Sequence, residues 1–185
     1  MNKKYFKNLE ELRKKIDSYK YSSSDNIAKL LAVRKRLQKK ETMSSKLCSI
    51  KKLKQWEFID GKIKHISNQF FSVEGVQVKN ANREVANWEQ VILNQPHGGV
   101  LALLVRETKK NGIEFLLHLR SEPGDKSIKF CPTFSATQSN MNQAHGGKKP
   151  DLFDVFIKEK GSKIIAKSKH NEEGARFWQK RMKIG

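Results

Sequence analysis

The spacing of apolar residues changes at Trp56, from a helical period before it to a period of two after it. Helices and strands are therefore expected in separate blocks, because side chains repeat every 3.6 residues on a helix and every two on a strand. Before the change, the apolar positions are Leu9, Leu12, Ile16 and Tyr19, then Ile27, Leu30, Leu31 and Leu37. They predict two amphipathic helices, which we interpret as a basic helical hairpin followed by a linker over residues 39–54.

After Trp56 the sequence predicts a series of strands. They fall at residues 56–59, 62–66, 70–78, 99–106, 113–119 and 128–137, with a helix over residues 150–156. Asp60-Gly61 and Asn111-Gly112 are typical of two-residue hairpin turns. Residues 99–106, GVLALLVR, are almost continuously apolar and predict one strand that is buried on both faces.

These elements predict an α+β fold with a mixed, mostly antiparallel sheet flanked by helices, behind the basic helical hairpin. We expect two parts, the hairpin and linker at residues 1–54 and the strand-rich domain at residues 55–185. The length leaves room for one domain with a real core plus such an appendage.

The positive charge is concentrated in the first third of the chain. The net charge is +19, and residues 1–55 hold 17 Lys and Arg against 5 Asp and Glu. Such a surface attracts phosphate, which leaves nucleic-acid binding open as a function, but no recognition module accompanies it. We find no apolar run that spans a membrane and no secretory signal, and Cys48 and Cys131 lie far apart. We therefore expect a reduced, cytoplasmic protein.

Residues 120–147, RSEPGDKSIKFCPTFSATQSNMNQAHGG, place hydroxyls and amides where a buried strand would place apolar side chains. Short polar side chains on a backbone that a ligand can approach closely suit a small-molecule site. An exposed edge strand with one polar face explains the same pattern. The pattern alone does not decide between the two.

Several residues have both a functional and a structural interpretation. Arg120 lies two positions before Glu122 on the same strand face, where it can bind a phosphate or form an exposed salt bridge. Trp88 can stack on a base or pack in the core. No metal-ligand spacing, P-loop or GxGxxG motif is present, which leaves acid–base chemistry or plain binding.

Three blocks of the chain resemble the repeat unit of the NDP-hexose 2,3-dehydratases. They are WEFIDGKIKHISNQFFSVEGVQV (56–78), NREVANWEQVILNQPHGGVLALLVR (82–106) and GIEFLLHLRSEPGDKSIKFCPTFSATQSN (112–140), and EEGARFWQKR (172–181) is similar to the end of that repeat. Glu-Pro-Gly followed by Pro-Thr-x-x-Ala-Thr-x-Ser-Asn is a specific signature.

The resemblance implies a Nudix-like fold, a thymidine-diphosphate sugar as ligand, and no metal or other cofactor. Enzymes of this family act on a nucleotide-linked 4-keto-6-deoxyhexose in deoxysugar biosynthesis and remove its C2 hydroxyl as water. The clustered glutamates of the Nudix catalytic box are missing here, so pyrophosphate hydrolysis is not expected.

With this chemistry, Glu122 and His145 are the candidates for the general base and acid. Substrate-binding roles are expected for Trp88 at the thymine, Arg120 at the phosphates, and Thr133, Thr137, Ser139 and Asn140 at the sugar or diphosphate. Donors of this kind also stabilise an enolate oxygen.

The sequence departs from the family pattern in two respects. Ser135 stands where the family has Gln, which removes a longer amide from the site. The chain also contains one repeat where the family normally has two, so we expect a homodimer or a partner chain with the second repeat. The alternative is a non-catalytic or truncated nucleotide-sugar-binding domain, and nucleic-acid binding through the hairpin is the least favoured function.

Overall fold

The structure is a computed structural model, and it describes residues 5–19, 23–80, 82 and 84–185. Both predicted helices are present, as α1 (Leu9–Ser18) and α2 (Ser23–Gln38). Asn8 caps α1 by accepting a hydrogen bond from the Glu11 N–H at 2.9 Å, which satisfies one of the donors that a helix start leaves free.

Each helix contacts the strand-rich part of the chain. From α1, the Lys15 ammonium lies 2.9 Å from the Glu107 carboxylate. From α2, the Arg34 guanidinium donates to the carbonyl oxygen of Ile128 and to the hydroxyl of Ser127, both at 2.8 Å. Contacts therefore cross the predicted boundary at residue 54, and the division into two domains stays a prediction.

The first sheet has four antiparallel strands in the order β1-β2-β3-β4. They are β1 (Trp56–Ile59), β2 (Lys62–His65), β3 (Ser72–Lys79) and β4 (Asn87–Asn94). Asp60 and Gly61 join the first two with φ angles of 51° and 70°. Positive φ at both positions is what a type I′ hairpin turn requires, so the predicted hairpin is confirmed.

The prediction of one continuous strand over residues 99–106 is wrong. The run is divided into β5 (Gly99–Ala102) and β6 (Leu104–Thr108), which belong to different sheets. Leu103 lies at the break and is 43% exposed, and its N–H donates to the Gly185 carbonyl at 2.9 Å. An apolar run therefore shows neither that all its residues are buried nor that they all pair with the same neighbours.

The predicted strands 113–119 and 128–137 are also divided. They form β7 (Gly112–Leu116), β8 (His118–Arg120), β9 (Lys129–Cys131) and β10 (Phe134–Thr137), with β6 paired to β7 and β8 paired to β9. Pro132 lies between β9 and β10. Because proline has no N–H to donate, a strand ladder is readily interrupted there.

The C-terminal third adds α3 (Gln138–Met141), α4 (Phe153–Ile157), β11 (Ser168–Asn171) and β12 (Arg181–Ile184). The second four-stranded sheet has the order β10-β5-β12-β11, and β12 runs parallel to β5 while the other pairs are antiparallel. The predicted helix after Pro150 is confirmed, although it is short.

The core lies on one face of this second sheet. Phe134 is 2% exposed and packs with Ala102, Ala136 and Met141, and its ring stacks on that of Phe156 at 5.1 Å between centroids. The α+β class and the mostly antiparallel pairing are thus confirmed, while the Nudix-like character stays a prediction. In the part of the chain that the structure describes, no helix is both long enough and apolar enough to cross a membrane.

Gly98, just before β5, provides a test of how closely β12 packs against this part of the chain. A Cβ atom at Gly98 would overlap the carbonyl oxygen of Arg181, so we expect Gly98→Ala to lower the free energy of unfolding by about 1–3 kcal/mol. Gly75→Ala is the matched control, because Gly75 has open space around its Cβ position within β3 and should be at least as stable as the wild type. Urea unfolding followed by circular dichroism measures both, and equal stabilities would contradict the packing.

Candidate functional site

Strand β10 presents two hydroxyls on the face opposite the core. Phe134 and Ala136 point into the core, and the residues between and after them, Ser135 and Thr137, are half-buried on the other face. In the pairing with β5, Ser135 is opposite Leu101 and Thr137 is opposite Gly99. This alternation places Ser135 and Thr137 together on one surface of the sheet.

The side chain of Arg120, at the end of β8, lies against this surface. Its Nη2 atom donates to the Glu122 carboxylate at 2.7 Å and to the Ser135 hydroxyl at 3.1 Å, and its Nη1 atom donates to the Ser135 carbonyl at 3.3 Å. Its Nε atom is buried and has no partner among the described residues. We call Arg120, Glu122 and Ser135 the arginine cluster.

Ser135 therefore has a role that sequence reasoning missed. The sequence marks Ser135 as a departure from the family pattern and does not predict its partner, whereas in the structure it binds Arg120 through both its hydroxyl and its carbonyl oxygen. The available signal was its spacing of two from Thr133 and Thr137 in a polar, alternating segment. The identity of its partner depends on how β8 and β10 lie in the fold.

The turn after Arg120 is fixed by local hydrogen bonds. The Glu122 N–H donates to the Asp125 carboxylate at 2.9 Å, and the Lys129 ammonium lies 3.0 Å from that same carboxylate. The hydrogen bond from Lys129, with a smaller effect of the Glu122 N–H, lowers the pKa of Asp125. Gly124 has a φ of 95°, a conformation that favours glycine.

The linker after α2 contacts the other side of this turn. The Ser121 hydroxyl donates to the Glu41 carboxylate at 2.6 Å, and the Gly124 N–H donates to the Ser45 hydroxyl at 3.2 Å. The hydrogen bond from Ser121 is the main reason why the pKa of Glu41 is lowered. Nothing in the Lys- and Ser-rich linker sequence indicated that it would hold the turn that carries Glu122.

Thr137, Ser139 and Asn140 lie together where β10 ends and α3 begins. The Thr137 hydroxyl accepts a hydrogen bond from the Asn140 N–H at 3.3 Å and lies 2.8 Å from the Ser139 hydroxyl. Thr137 is thus the N-cap of α3, a position that favours threonine. Ser139 is buried, whereas Asn140 is half-buried.

Thr133 is held differently from the other hydroxyl residues of the signature. It is 3% exposed, its hydroxyl accepts from the Leu104 N–H at 2.8 Å, and it donates to the Leu116 carbonyl. These bonds satisfy backbone groups of β6 and β7 next to the interruption at Pro132. The geometry favours a structural role for Thr133, and its role in substrate binding stays a prediction.

His145 and Trp88 make contacts that do not join the arginine cluster. His145 is exposed in the turn after α3, and its Nδ1 atom accepts from the Gly147 N–H at 2.9 Å. Trp88 is on β4 of the first sheet, where its Nε1 donates to Gln90 at 2.9 Å. Gln90 in turn donates to the Ala175 carbonyl at 2.8 Å, so the contacts of Trp88 lead towards the C-terminal segment.

A cavity of about 690 Å³ lies between α1, the β5–β6 break and the segment after α4. Its lining is mostly apolar and includes Leu9, Leu12, Phe115 and Phe156. None of the eight residues predicted for the site lines it. Over the described ranges, no three His, Cys, Asp or Glu side chains are grouped so that they could hold a metal ion.

Comparison with known proteins identifies the family. The family model for NDP-hexose 2,3-dehydratase matches residues 27–184 of this chain. The chain belongs to the NDP-hexose 2,3-dehydratase family. The match begins within α2, so this family segment includes part of the N-terminal region as well as both four-stranded sheets.

Curated relatives are similar to about two thirds of this chain. A dTDP-4-dehydro-6-deoxy-alpha-D-glucopyranose 2,3-dehydratase of Saccharopolyspora spinosa is 32% identical over 133 residues, which are 70% of this chain and 27% of the relative. A relative of the same name from Amycolatopsis orientalis is 31% identical over 136 residues, or 69% of this chain and 29% of the relative. The chain thus spans little more than a quarter of the length of the relatives that it matches.

The structural role of Thr133 can be tested by Thr133→Val, which keeps the shape of the side chain and removes its hydroxyl. The Leu104 N–H and the Leu116 carbonyl would then lose that partner, and we expect a loss of about 1–3 kcal/mol in the free energy of unfolding. Thr108→Val is the control, because the Thr108 hydroxyl accepts from the exposed Asn111 N–H at 3.1 Å, which water can replace. Equal effects of the two changes in urea unfolding would contradict the structural role.

Proposed function

We propose that this chain is a repeat of a dTDP-4-keto-6-deoxyglucose 2,3-dehydratase, a lyase of deoxysugar biosynthesis in the cytoplasm. The relatives carry the name of this activity, and the family segment covers most of the chain. The observation that supports the activity best is the arginine cluster, in which one guanidinium links a half-exposed carboxylate and the polar face of β10. It offers a cation for a diphosphate next to a candidate base.

The reaction is an elimination assisted by the C4 ketone. A base removes the proton at C3, and the electron pair moves into the bond to C4, so that negative charge develops on the ketone oxygen. An acid then protonates the C2 hydroxyl, the C2–O bond breaks, and water leaves. The resulting enol tautomerises to a 3,4-diketone. This sequence needs one proton acceptor, one proton donor and hydrogen-bond donors at the developing oxyanion.

Each role has a candidate in this chain. Glu122 is the candidate base and His145 the candidate acid, and the Arg120 guanidinium is proposed to bind the diphosphate. The hydroxyls and the amide at the start of α3, on Thr137, Ser139 and Asn140, are proposed to bind the sugar. Trp88, half-buried on β4, is the candidate for stacking on the thymine.

A second copy of the chain, or a separate second repeat, is proposed as the partner. This chain matches 27–29% of the relatives' length, so further parts of those proteins have no counterpart in the matched segment. Glu122 is half exposed and His145 is exposed, which leaves room for a second surface to enclose the substrate. Enclosure excludes water and strengthens electrostatic interactions at the reacting atoms.

The second candidate function is nucleotide-sugar binding without turnover. It is favoured by the contacts of the two proposed catalytic residues, because Glu122 is bound to Arg120 and the Nδ1 atom of His145 is occupied by the Gly147 N–H. In that case the arginine cluster would retain the diphosphate, and neither residue would transfer a proton.

The two functions are separated by incubating the protein with dTDP-4-keto-6-deoxyglucose and trapping the diketone with a reductant before mass spectrometry. We expect turnover in the wild type and a 10²- to 10⁴-fold lower rate in Glu122→Gln, because the base is lost. Glu57→Gln is the control, since Glu57 is exposed on β1 and should keep the full rate. Binding without product supports the second function, and an undiminished rate in Glu122→Gln removes Glu122 from the role of base.

A further inference from the structure

Three chain segments meet at one end of the second sheet. The Gln138 N–H, after β10, donates to the Gly98 carbonyl, before β5, at 2.9 Å. Gly99 is opposite Thr137 on one side and Met182 on the other. Its missing side chain allows both neighbours to come close, since a Cβ there would lie 2.8 Å from the Cε atom of Met182.

Lys180 belongs to the segment that leads into β12. Its carbonyl accepts from the Glu172 N–H at 2.8 Å, which extends the pairing of β11 and β12 by one step. Lys180 precedes Met182 by two residues, so both side chains lie on the same face of this extended strand. That face also carries Thr137, the residue that caps α3 and starts the group of candidate sugar ligands.

Buried polar residues are concentrated at this end of the sheet. Among the described residues, Gln95, Thr133, Ser139 and Lys180 are polar and buried. Ser139 lies just after β10, Gln95 lies in the loop that leads into β5, and Lys180 lies just before β12. Buried polar groups are costly unless they are paired or used. Ser139 is paired with the Thr137 hydroxyl, so the contacts of Lys180 decide whether this end of the sheet can bind a ligand.

Lys180 is bound only loosely by its neighbours. The residue is 7% exposed, and its Nζ atom lies 3.7 Å from the Glu172 carboxylate and 4.2 Å from the centroid of the Phe177 ring. The distance to Glu172 exceeds the ~3.2 Å limit of a good N–H···O hydrogen bond. An ammonium has three N–H donors, and neither contact uses one at hydrogen-bonding distance.

Opposing effects act on the pKa of Lys180. Burial lowers the pKa of Lys180, the nearby Arg176 lowers it further, and the Glu172 carboxylate opposes both. The ammonium consequently gives up its proton more readily than an exposed lysine. Lysines with this property are enriched at functional sites, although structural ion pairs also produce it.

We propose that Lys180 is a ligand-binding residue at this end of the second sheet, and that its ammonium donates to an anionic oxygen of the nucleotide sugar. The proposal rests on the proposed function and adds a residue from the C-terminal EEGARFWQKR segment, which that function did not use. Two oxygens have the right chemistry, one on the diphosphate and one on the C4 ketone as it becomes an enolate. Arg120 and Lys180 would then contact the ligand from different strands.

The test is calorimetric titration with dTDP and with dTDP-4-keto-6-deoxyglucose. We expect Lys180→Met, which keeps an apolar stem of similar length, to bind about 10- to 100-fold more weakly, as for a lost hydrogen bond to a charged group. Lys180→Arg should restore part of the affinity. Lys183→Met is the matched control, because Lys183 is exposed one position beyond Met182 on the opposite face of β12 and should bind like the wild type.

The two ligands distinguish the two oxygens. Weaker binding of dTDP itself assigns Lys180 to the diphosphate, and weaker binding of the sugar nucleotide alone assigns it to the sugar. Wild-type affinity of Lys180→Met for both ligands overturns the proposal while leaving the proposed function intact. If the wild type binds neither ligand, the proposed function fails and the proposal fails with it.

One further measurement separates ligand binding from a structural role. Binding needs the charged ammonium, so affinity should fall as pH rises through the lowered pKa of Lys180, with no such fall in Lys180→Arg. A wild-type affinity that stays constant over this pH range overturns the proposal.

Discussion

The close approach of β10 and β12 to β5 is the packing constraint on which the second sheet depends. It is possible because Gly98 and Gly99 have no side chains, so that the Arg181 carbonyl and the Met182 methyl group occupy the space where Cβ atoms would be. The parallel pairing of β12 with β5 brings the C-terminal segment beside the middle of the domain. Without it, Lys180 would have no fixed relation to the residues at the start of α3.

A second constraint is the pairing of backbone groups where the strands change sheets. At Pro132 the chain passes from β9 to β10, and the Thr133 hydroxyl then serves backbone groups of β6 and β7. A backbone N–H or carbonyl left without a partner away from water costs about 1–3 kcal/mol. One threonine side chain thus allows two small sheets and one larger sheet to meet without leaving these groups unsatisfied.

The arginine cluster depends on contacts from parts of the chain that are distant in sequence. Arg120 binds Ser135 across 15 residues, and the turn that carries Glu122 is bound through Ser121 and Gly124 to the linker 80 and 79 residues earlier. Fixing a candidate base and a candidate phosphate ligand on one braced turn reduces the ordering that a ligand must impose. The linker therefore helps to hold the turn that carries Glu122, whether or not residues 1–54 form a separate domain.

The sequence alone determined the class of the fold, the hairpin turn at Asp60-Gly61 and the family. Each of these depends on local conformation or on a contiguous motif. The polar signature also predicted a site near Arg120, and both this site and the individual roles in binding and catalysis stay predictions. Local patterns report which face of a strand is buried and which backbone angles a turn requires, because these properties are set within a few residues.

Only the tertiary structure decided which strands pair and which polar residues meet. The apolar run at residues 99–106 looks uniform, yet its two halves bind different neighbours, because strand pairing is chosen by contacts across the fold. Thr133 and Ser135 are similar in the signature, but one is sealed between β6 and β7 and the other binds Arg120. Lys180 is one of 38 Lys and Arg residues in the sequence. Its burial follows from where β12 joins the sheet, which no local pattern encodes.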